Sequence, residues 1–456
     1  MKTYDYIIAG AGTAGCVLAN RLSADPSAQV LLLEAGKKDN YFWINIPAGY
    51  LFTINNPRTD WCYKIEPDAG LNNRSINYAR GKGLGGSSSI NAMIYMRGQK
   101  SDYDHWAQLG NRGWSWDDVL PVFKQSEDYQ HGGDQFHGVG GELSVEERRV
   151  NFEILDAWRD AAEACGIPKI DEFNRGDNFG NAYFQMNQRR GTRCSGARAF
   201  LRPVMSRPNL TVLTEAHVQN LNFTIDDITR RCNGITIRTS LGVETFTAQK
   251  EVILAAGSVG SPQILQLSGI GHGEHLHQLG ISPVHELPGV GENLQDHYIS
   301  RLVWRIKNAK SLNQKTKGVP AVIEGLKYFF LNKGALTMSA GILGGFVRSR
   351  PELETPDIQF HIAHGSFKDP KKRVFDDFPG LTIGPCQLRP ESRGSIHVKS
   401  ADPFASPAIR QNFLNEELDR QTHVTGIKIA RDLMQTEVMR TYMESEVLPG
   451  DVRQTD

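Results

Sequence analysis

The sequence has no excess of charge of either sign. Across 456 residues, 51 lysines and arginines are matched by 51 aspartates and glutamates, with no long run of either. Phosphate recognition needs a basic surface, so nucleic acid is excluded as the main partner. Long apolar runs are missing too. The longest largely apolar stretch, ALTMSAGILGGFV (335–347), is broken by glycine. It is shorter than the roughly 20 residues that cross a bilayer, so no transmembrane segment is expected. Cysteine is sparse. Positions 16, 62, 165, 194, 232 and 386 are scattered and include no CxxC. That spacing argues for reduced thiols rather than a disulfide framework or a zinc site. The N-terminus, MKTYDYIIAGAG, lacks the charged and apolar regions of a secretory leader and enters a strand pattern at once. These absences imply a cytoplasmic protein, with peripheral attachment to the inner membrane left open. The length allows two domains or one interleaved α/β body.

What the sequence does contain begins at residue 4. YDYIIA (4–9) reads as a buried strand, and GAGTAG (10–15) follows directly. CVLANRLSAD then has helical spacing, with Val17, Leu18 and Leu22 on one face. VLLLEAG (30–36) is a second strand ending in Glu34. This is a βαβ unit with GxGxxG at its first turn. Gly10 makes the tight turn, Gly12 admits a pyrophosphate to the backbone, and Gly15 lets helix pack closely on strand. Ala11, Thr13 and Ala14 complete a loop whose helix N-terminus faces the phosphates. Glu34, followed by Ala35, is placed to accept hydrogen bonds from ribose hydroxyls.

The turn alone does not separate NAD from FAD. KEVILAAGSVGSPQILQLSGIG (250–271) offers a second strand–turn–helix unit. Residues 251–255 form its strand, Ala256, Gly257 and Ser258 its turn, and Pro262 is expected near the helix start, where its missing N–H costs nothing. NLTVLTEAHVQNLNF (209–223) reads as strands of the same body, with the Val218 backbone available to an adenine. The dinucleotide domain is therefore split in sequence.

GKGLGGSSSINAMI (81–94) has almost no bulk in its first nine positions, yet it runs into an apolar segment. A flexible linker would rarely do that. The alternative is a large flat object lying on the backbone, which glycine permits.

GKGLGGSSSINAMIYMRGQKSDYD (81–104), GSVGSPQILQLSGIG (257–271) and GVGENLQDH (289–297) resemble signatures of the glucose–methanol–choline (GMC) oxidoreductases, flavoenzymes that oxidise alcohols. The resemblance runs from residue 4 to the last residue and is greatest to bacterial choline dehydrogenases and alcohol dehydrogenases. It implies FAD lying along 81–94, touched by Gly83 and by the backbone of Asn91, Ala92, Met93 and Ile94. For Asn91 the other reading is a turn-closing side chain. Relatives that tether the flavin covalently use a histidine just before that asparagine; Ile90 stands there, which implies dissociable, non-covalent FAD. The implied fold class is α/β. A doubly wound, Rossmann-like FAD-binding domain would come from about 1–100 and 195–300, and an interleaved α+β substrate domain from about 101–194 and 301–456.

The resemblance implies oxidation of a primary alcohol, a small molecule, to an aldehyde, with hydride passing to flavin N5. Oxygen, a quinone or a carrier protein are all open as electron acceptor. Choline oxidation, a hydroxynitrile lyase and a flavin-binding protein without catalysis are the alternatives. In the family the catalytic histidine follows HP-x-GT near the C-terminus, with a His or Asn tens of residues beyond. Neither occurs in these 456 residues, so none of the 13 histidines is assigned that role, and the chain is expected to be a truncated form.

Further candidates come from the second half. In DIQFHIAH, His361 alternates with Ile358, Phe360 and Ile362, so it faces away from their apolar side and lines either a substrate cavity or a solvated face. Choline-specific relatives carry a glutamate before a GGF-like turn. In GILGGFVRS (341–349) Ile342 takes that place, which favours an uncharged alcohol. His297 is expected to fix a loop, and HGEHLHQ (272–278) to open a solvated helix rather than bind a metal. GWSWDDVLPVFKQSED (113–128) reads as a helix opened by Ser115 or Asp117 with both tryptophans packed, and NFEILDAWRDAAEACG (151–166) as a helix stopped by Gly166.

Overall fold

The computed structural model describes residues 2–225, 229–369, 372–450, 452, 453 and 455. The first sheet contains β1 (Lys2–Ala9), β2 (Val30–Leu33), β3 (Leu210–Leu213), β4 (His217–Ile225), β5 (Arg230–Thr239) and β6 (Gly242–Leu254). Their order is β3-β2-β1-β6-β5-β4. The first four are mutually parallel, and β5 and β4 extend the sheet antiparallel. β2 is buried along its whole length, because its unbroken VLLL serves both faces of the sheet. Ile8, Val30 and Leu32 enter one apolar cluster, while Ile7, Ala9, Leu31 and Leu33 enter the other.

Helix α1 (Thr13–Leu22) buries Gly15, Cys16, Ala19 and Asn20. Val17, Leu18 and Leu22, which share a face as the spacing indicates, are half-buried and pack against the cluster of Ile8 and Leu32. Small residues take the inner face because helix and turn approach closely: a Cβ on Gly15 would stand 1.9 Å from the Gly10 carbonyl oxygen. Helix α2 (Gly257–Leu267) starts within the small-residue turn itself, so Pro262 lies inside the helix rather than at its opening.

The second sheet contains Gly180–Tyr183 and β7 (Leu302–Ile306), β8 (Leu343–Val347), β9 (Ile358–Ala363), β10 (Gly380–Gln387) and β11 (Met443–Leu448). The order is β11-β7-β10-β9-β8, with Gly180–Tyr183 at the far edge, and every pairing is antiparallel. The helices Glu153–Ala164 and Glu417–Met434 pack with it around a core that includes Trp158, Trp304, Phe360 and Leu433. The strand pair Ser395–His397 and Ala408–Arg410 belongs elsewhere. Ile396 and Ile409 pack with Tyr63 and Val259, so the 301–456 stretch does not stay with the second sheet throughout.

Ser115 caps the helix Trp116–Ser126 in a capping box with Asp118. Trp116 is buried, but Trp114 is exposed and does not pack in the core. Cys165 and Gly166 (φ +83°) follow the helix Glu153–Ala164. Among the described residues, no helix is long and apolar enough to cross a membrane.

Candidate functional site

The parallel strands end together. Ala9, Leu33 and Leu254, the last residues of β1, β2 and β6, line one cleft of about 460 Å³. Two helices open onto it. The residue before α1 is Gly12 and the residue before α2 is Ala256; neither helix has a side-chain cap or an acidic residue in its first turn. Their first N–H groups therefore lack the usual intramolecular partner, and both helix dipoles present their positive ends. A diphosphate satisfies both conditions, and the cleft volume suits a cofactor.

The wall of the cleft includes Gly10, Gly12, Thr13, Ala14, Glu34, Ala35, Val218 and Gly257. Gly10 has φ +104°, and a Cβ there would meet the Ala255 carbonyl oxygen at 2.5 Å. The turns after β1 and β6 are thus in contact. Gly12 differs. Its φ is −68°, and a Cβ would meet nothing nearer than that oxygen at 3.9 Å, so the position is open toward the cleft.

Ala11, Gly15 and Gly83 are not among the residues that line the cleft, and Gly15 makes the close helix packing expected of it. The Glu34 carboxylate explains two of them. Oε2 accepts the Ala11 N–H at 2.9 Å, while Oε1 accepts Gly36 N–H at 2.8 Å and Gly83 N–H at 3.0 Å. Glu34 is therefore a buried clasp joining three turns, with only part of its acceptor capacity left for a ribose. Burial pushes its pKa up, and the three N–H donors oppose that push.

The glycines of 81–86 are explained in the same way. A Cβ on Gly86 would lie 2.8 Å from Gly12 Cα, and one on Gly81 would lie 2.1 Å from the Gly86 carbonyl oxygen. What comes so close to this segment is the chain's own backbone. Gly86, Ser87 and Ser88 then continue as cleft wall.

Asn91, Ala92, Met93 and Ile94 lie beyond that wall. The Asn91 side chain closes its own turn: Oδ1 accepts the Met93 N–H at 3.0 Å and Arg193 Nη1 at 2.9 Å. The Ala92 carbonyl accepts the Ser339 hydroxyl, and Ile94 pairs with Met186. Met93 is buried at φ +60°, a conformation that L-residues other than Asn and Asp rarely adopt. Arg193 is fully buried and bonds only neutral oxygens: Ile44 O at 2.9 Å, Ser88 O at 3.1 Å and Asn91 Oδ1. Burial lowers its pKa to about 9.

Ile342 is fully buried in the cluster with Trp158 and Phe360, so it lines no accessible pocket. His361 faces Phe184, with ring centroids 5.7 Å apart. His361 is half-buried, and burial, aided by the His297 imidazole, lowers its pKa to about 4. His297 Nε2 lies 3.0 Å from the Leu388 carbonyl and ties two loops. Among the described residues no His, Cys, Asp and Glu cluster could hold a metal. Trp61, Tyr63, Arg80 and His217 also line the cleft without having been singled out. Trp61 and Tyr63 come from a segment with no glycine motif, Arg80 directly precedes the glycine-rich segment, and His217 stands beside Val218 at a strand start, so no local pattern marks the four together.

Parallel strands ending at one cleft with two uncapped helix N-termini form a dinucleotide-binding architecture. The chain belongs to the GMC oxidoreductase family, whose N-terminal model matches residues 4–299 and whose C-terminal model matches residues 390–456. It is 40% identical to an alcohol dehydrogenase [acceptor] of Pseudomonas putida, over 99% of this chain and 82% of that protein. It is 37% identical to an oxygen-dependent choline dehydrogenase of Photobacterium profundum, over 98% of this chain and 78% of that one. Pyridoxine 4-oxidase from Mesorbium loti superposes with a TM-score of 0.86 at 28% identity, covering 99% of this chain and 84% of its own. Formate oxidase from Aspergillus oryzae gives 0.88 at 28%, with 99% and 85% covered. The cofactor of the family is FAD, and the cleft fits it.

Proposed function

We propose that the protein binds FAD non-covalently in this cleft and uses it to oxidise an alcohol to a carbonyl compound. The observation that carries this reading is the pair of uncapped helix N-termini facing one cleft at the ends of the parallel strands. When bound, FAD supplies the acceptor for the hydride of a CH–OH donor. The N–H groups after Gly12 and Ala256 would hold its diphosphate, and the Val218 strand end would face its adenine. Cofactor binding falls to the first sheet, and the second sheet encloses the substrate. Dissociable FAD is supported by Ile90, which offers no nucleophile for a flavin bond.

A primary alcohol also needs a base for its hydroxyl proton. His361 is a poor one near neutrality, since burial holds its pKa at about 4. The resemblance puts the base in an HP-x-GT segment that these 456 residues do not contain, and we assign no residue of the chain to that role. The choice between an uncharged donor and choline is left to experiment, since Ile342, whose place in the sequence favours the former, is enclosed in the core. The electron acceptor is left to experiment.

Acid precipitation of the purified yellow protein is expected to release all FAD into the supernatant. Flavin left in the pellet would overturn the non-covalent assignment. Anaerobic addition of a primary alcohol to the whole protein should bleach the flavin band. Cyanohydrin cleavage without bleaching would mark a lyase instead, and neither activity would leave a flavin-binding protein without catalysis.

A further inference from the structure

Helix α3 (Gly318–Leu331), GVPAVIEGLKYFFL, is inside out. The residues it buries are Glu324 and Tyr328, one turn apart. Val319 (72% exposed), Val322, Leu326, Phe329, Phe330 (79%) and Leu331 face outward. Glu324 is used internally: its carboxylate accepts the Ala335 N–H at 2.7 Å and Lys327 Nζ at 2.9 Å. The apolar surface continues past the helix. Phe329 stacks on exposed Phe42 at 6.3 Å, Phe42 meets Trp43 at 5.3 Å, and Trp43 stacks on exposed Phe52 at 4.1 Å. Contiguous apolar surface of this kind marks an interaction site.

The rim decides what covers it. Between 315 and 333, in and beside the helix, lie Lys315, Lys317, Lys327 and Lys333, against Glu324 as the only acid, in a chain whose net charge is zero. At the other end Arg58 lies over Tyr41 and Arg373 over Phe52. Asp377, paired with Lys317 at 2.5 Å, offsets one of these cations. A second copy would bring the same basic rim against itself, since a two-fold interface sets each patch on its equal. An anionic bilayer instead attracts the rim and accepts the apolar face at the level of its headgroups. Lysine stems let the ammonium groups stay among the phosphates while the helix sinks. Fourteen residues of helix span about 21 Å, enough to lie in the interface but too short to cross.

We propose that α3 and the adjoining Phe42–Phe52 cluster form a docking surface for an anionic lipid bilayer. This surface is independent of the cofactor and the reaction. The test is co-sedimentation of the FAD-loaded full chain with vesicles of phosphatidylcholine alone, or of phosphatidylcholine containing phosphatidylglycerol, at low and high salt. Binding is expected to the anionic vesicles, weaker by about tenfold or more at high salt or without phosphatidylglycerol. Leu326→Gln with Phe330→Gln should lower it by about tenfold or more while the thermal midpoint and FAD content hold, since both side chains are exposed. Lys317→Glu with Lys333→Glu should remove the preference for anionic vesicles. Absence of vesicle binding, or equal binding by the Gln variant, would overturn the proposal. So would a concentration-dependent dimer in light scattering that the Gln variant abolishes, which would assign the face to a second copy.

Discussion

Glu34 Oε1 accepts the backbone N–H of Gly83 at 3.0 Å, across 49 residues of chain. With Ala11 and Gly36 on the same carboxylate, this bond holds the glycine-rich segment against the first turn. The geometry of the cofactor cleft thus depends on one buried side chain that is largely occupied before any ligand arrives. Glu34→Gln keeps the shape but turns an amide NH₂ toward an N–H donor. The expected loss is about 1–3 kcal/mol of stability, from a donor left unpaired. Urea unfolding of the apoprotein checks it, and FAD titration should show weaker binding in the same variant.

Stability should fall on both sides of neutrality, for different reasons. His137 is buried between Glu127 (3.1 Å) and Glu172 (3.2 Å), and these carboxylates raise its pKa from 6.5 to about 9 against the pull of burial. A raised histidine contributes its full stability below the unfolded value and loses it as pH rises through the folded one. That contribution is on the order of 3 kcal/mol, lost between about pH 6.5 and 9. On the acid side burial lowers His364 to about 3, and His361 and His423 to about 4. Lowered histidines favour the fold while neutral, and that stability fades as pH drops from 6.5 toward those values. Urea midpoints across pH should therefore pass through a maximum near neutrality. His137→Gln should lower the maximum and flatten only the alkaline limb.

The first βαβ unit was legible because its signals are local. Strand, GxGxxG, helix and acid follow one another within residues 4–34, and each step is fixed by near neighbours. What each glycine does was only partly legible. Gly83 and Gly86 are small because other turns press on them and Gly81 because its own segment folds back at Gly86, and periodicity carries no record of such contacts. On α1 the spacing points to Val17, Leu18 and Leu22, which do pack against the cluster, while Cys16 and Ala19, deeper inside with Gly15, carry no such signal. Pro262 followed a general preference that the early start of α2 overrides. The cleft residues Trp61, Arg80 and His217 arrive from separate loops and strands, so only the assembled fold brings them together.

Ile342 illustrates a substitution whose outcome changes once burial is known. On an open pocket wall, Ile342→Glu would alter substrate preference. In the core beside Trp158 and Phe360, with no solvent exposure, it places a carboxylate where nothing is available to pair with it. The expected result is a loss of several kcal/mol, roughly 3–5, and poor recovery of folded protein. Ile342→Val should cost about 1 kcal/mol. Denaturant curves for the two variants check this. A folded Glu variant with parental stability would show that the position is open after all.

Gly12 and Gly15 separate binding from folding. Both belong to the same turn, and both look alike in the motif. A Cβ on Gly12 meets nothing closer than 3.9 Å, at a φ of −68° that any residue adopts, and the new side chain would project into the cleft. A Cβ on Gly15 would stand 1.9 Å from the Gly10 carbonyl oxygen, inside the protein. Gly12→Val should therefore keep its stability within about 1 kcal/mol, as surface changes usually do. It should lose FAD affinity by roughly a hundredfold or more, about 2.8 kcal/mol, because a branched side chain fills the diphosphate position. Gly15→Ala should do the reverse in order of events, unfolding first and losing FAD as a consequence. Fluorescence titration of each apoprotein with FAD, paired with urea curves, distinguishes them. Parental FAD affinity in Gly12→Val would remove the diphosphate from this turn, and parental stability in Gly15→Ala would show that helix and strand can separate without loss.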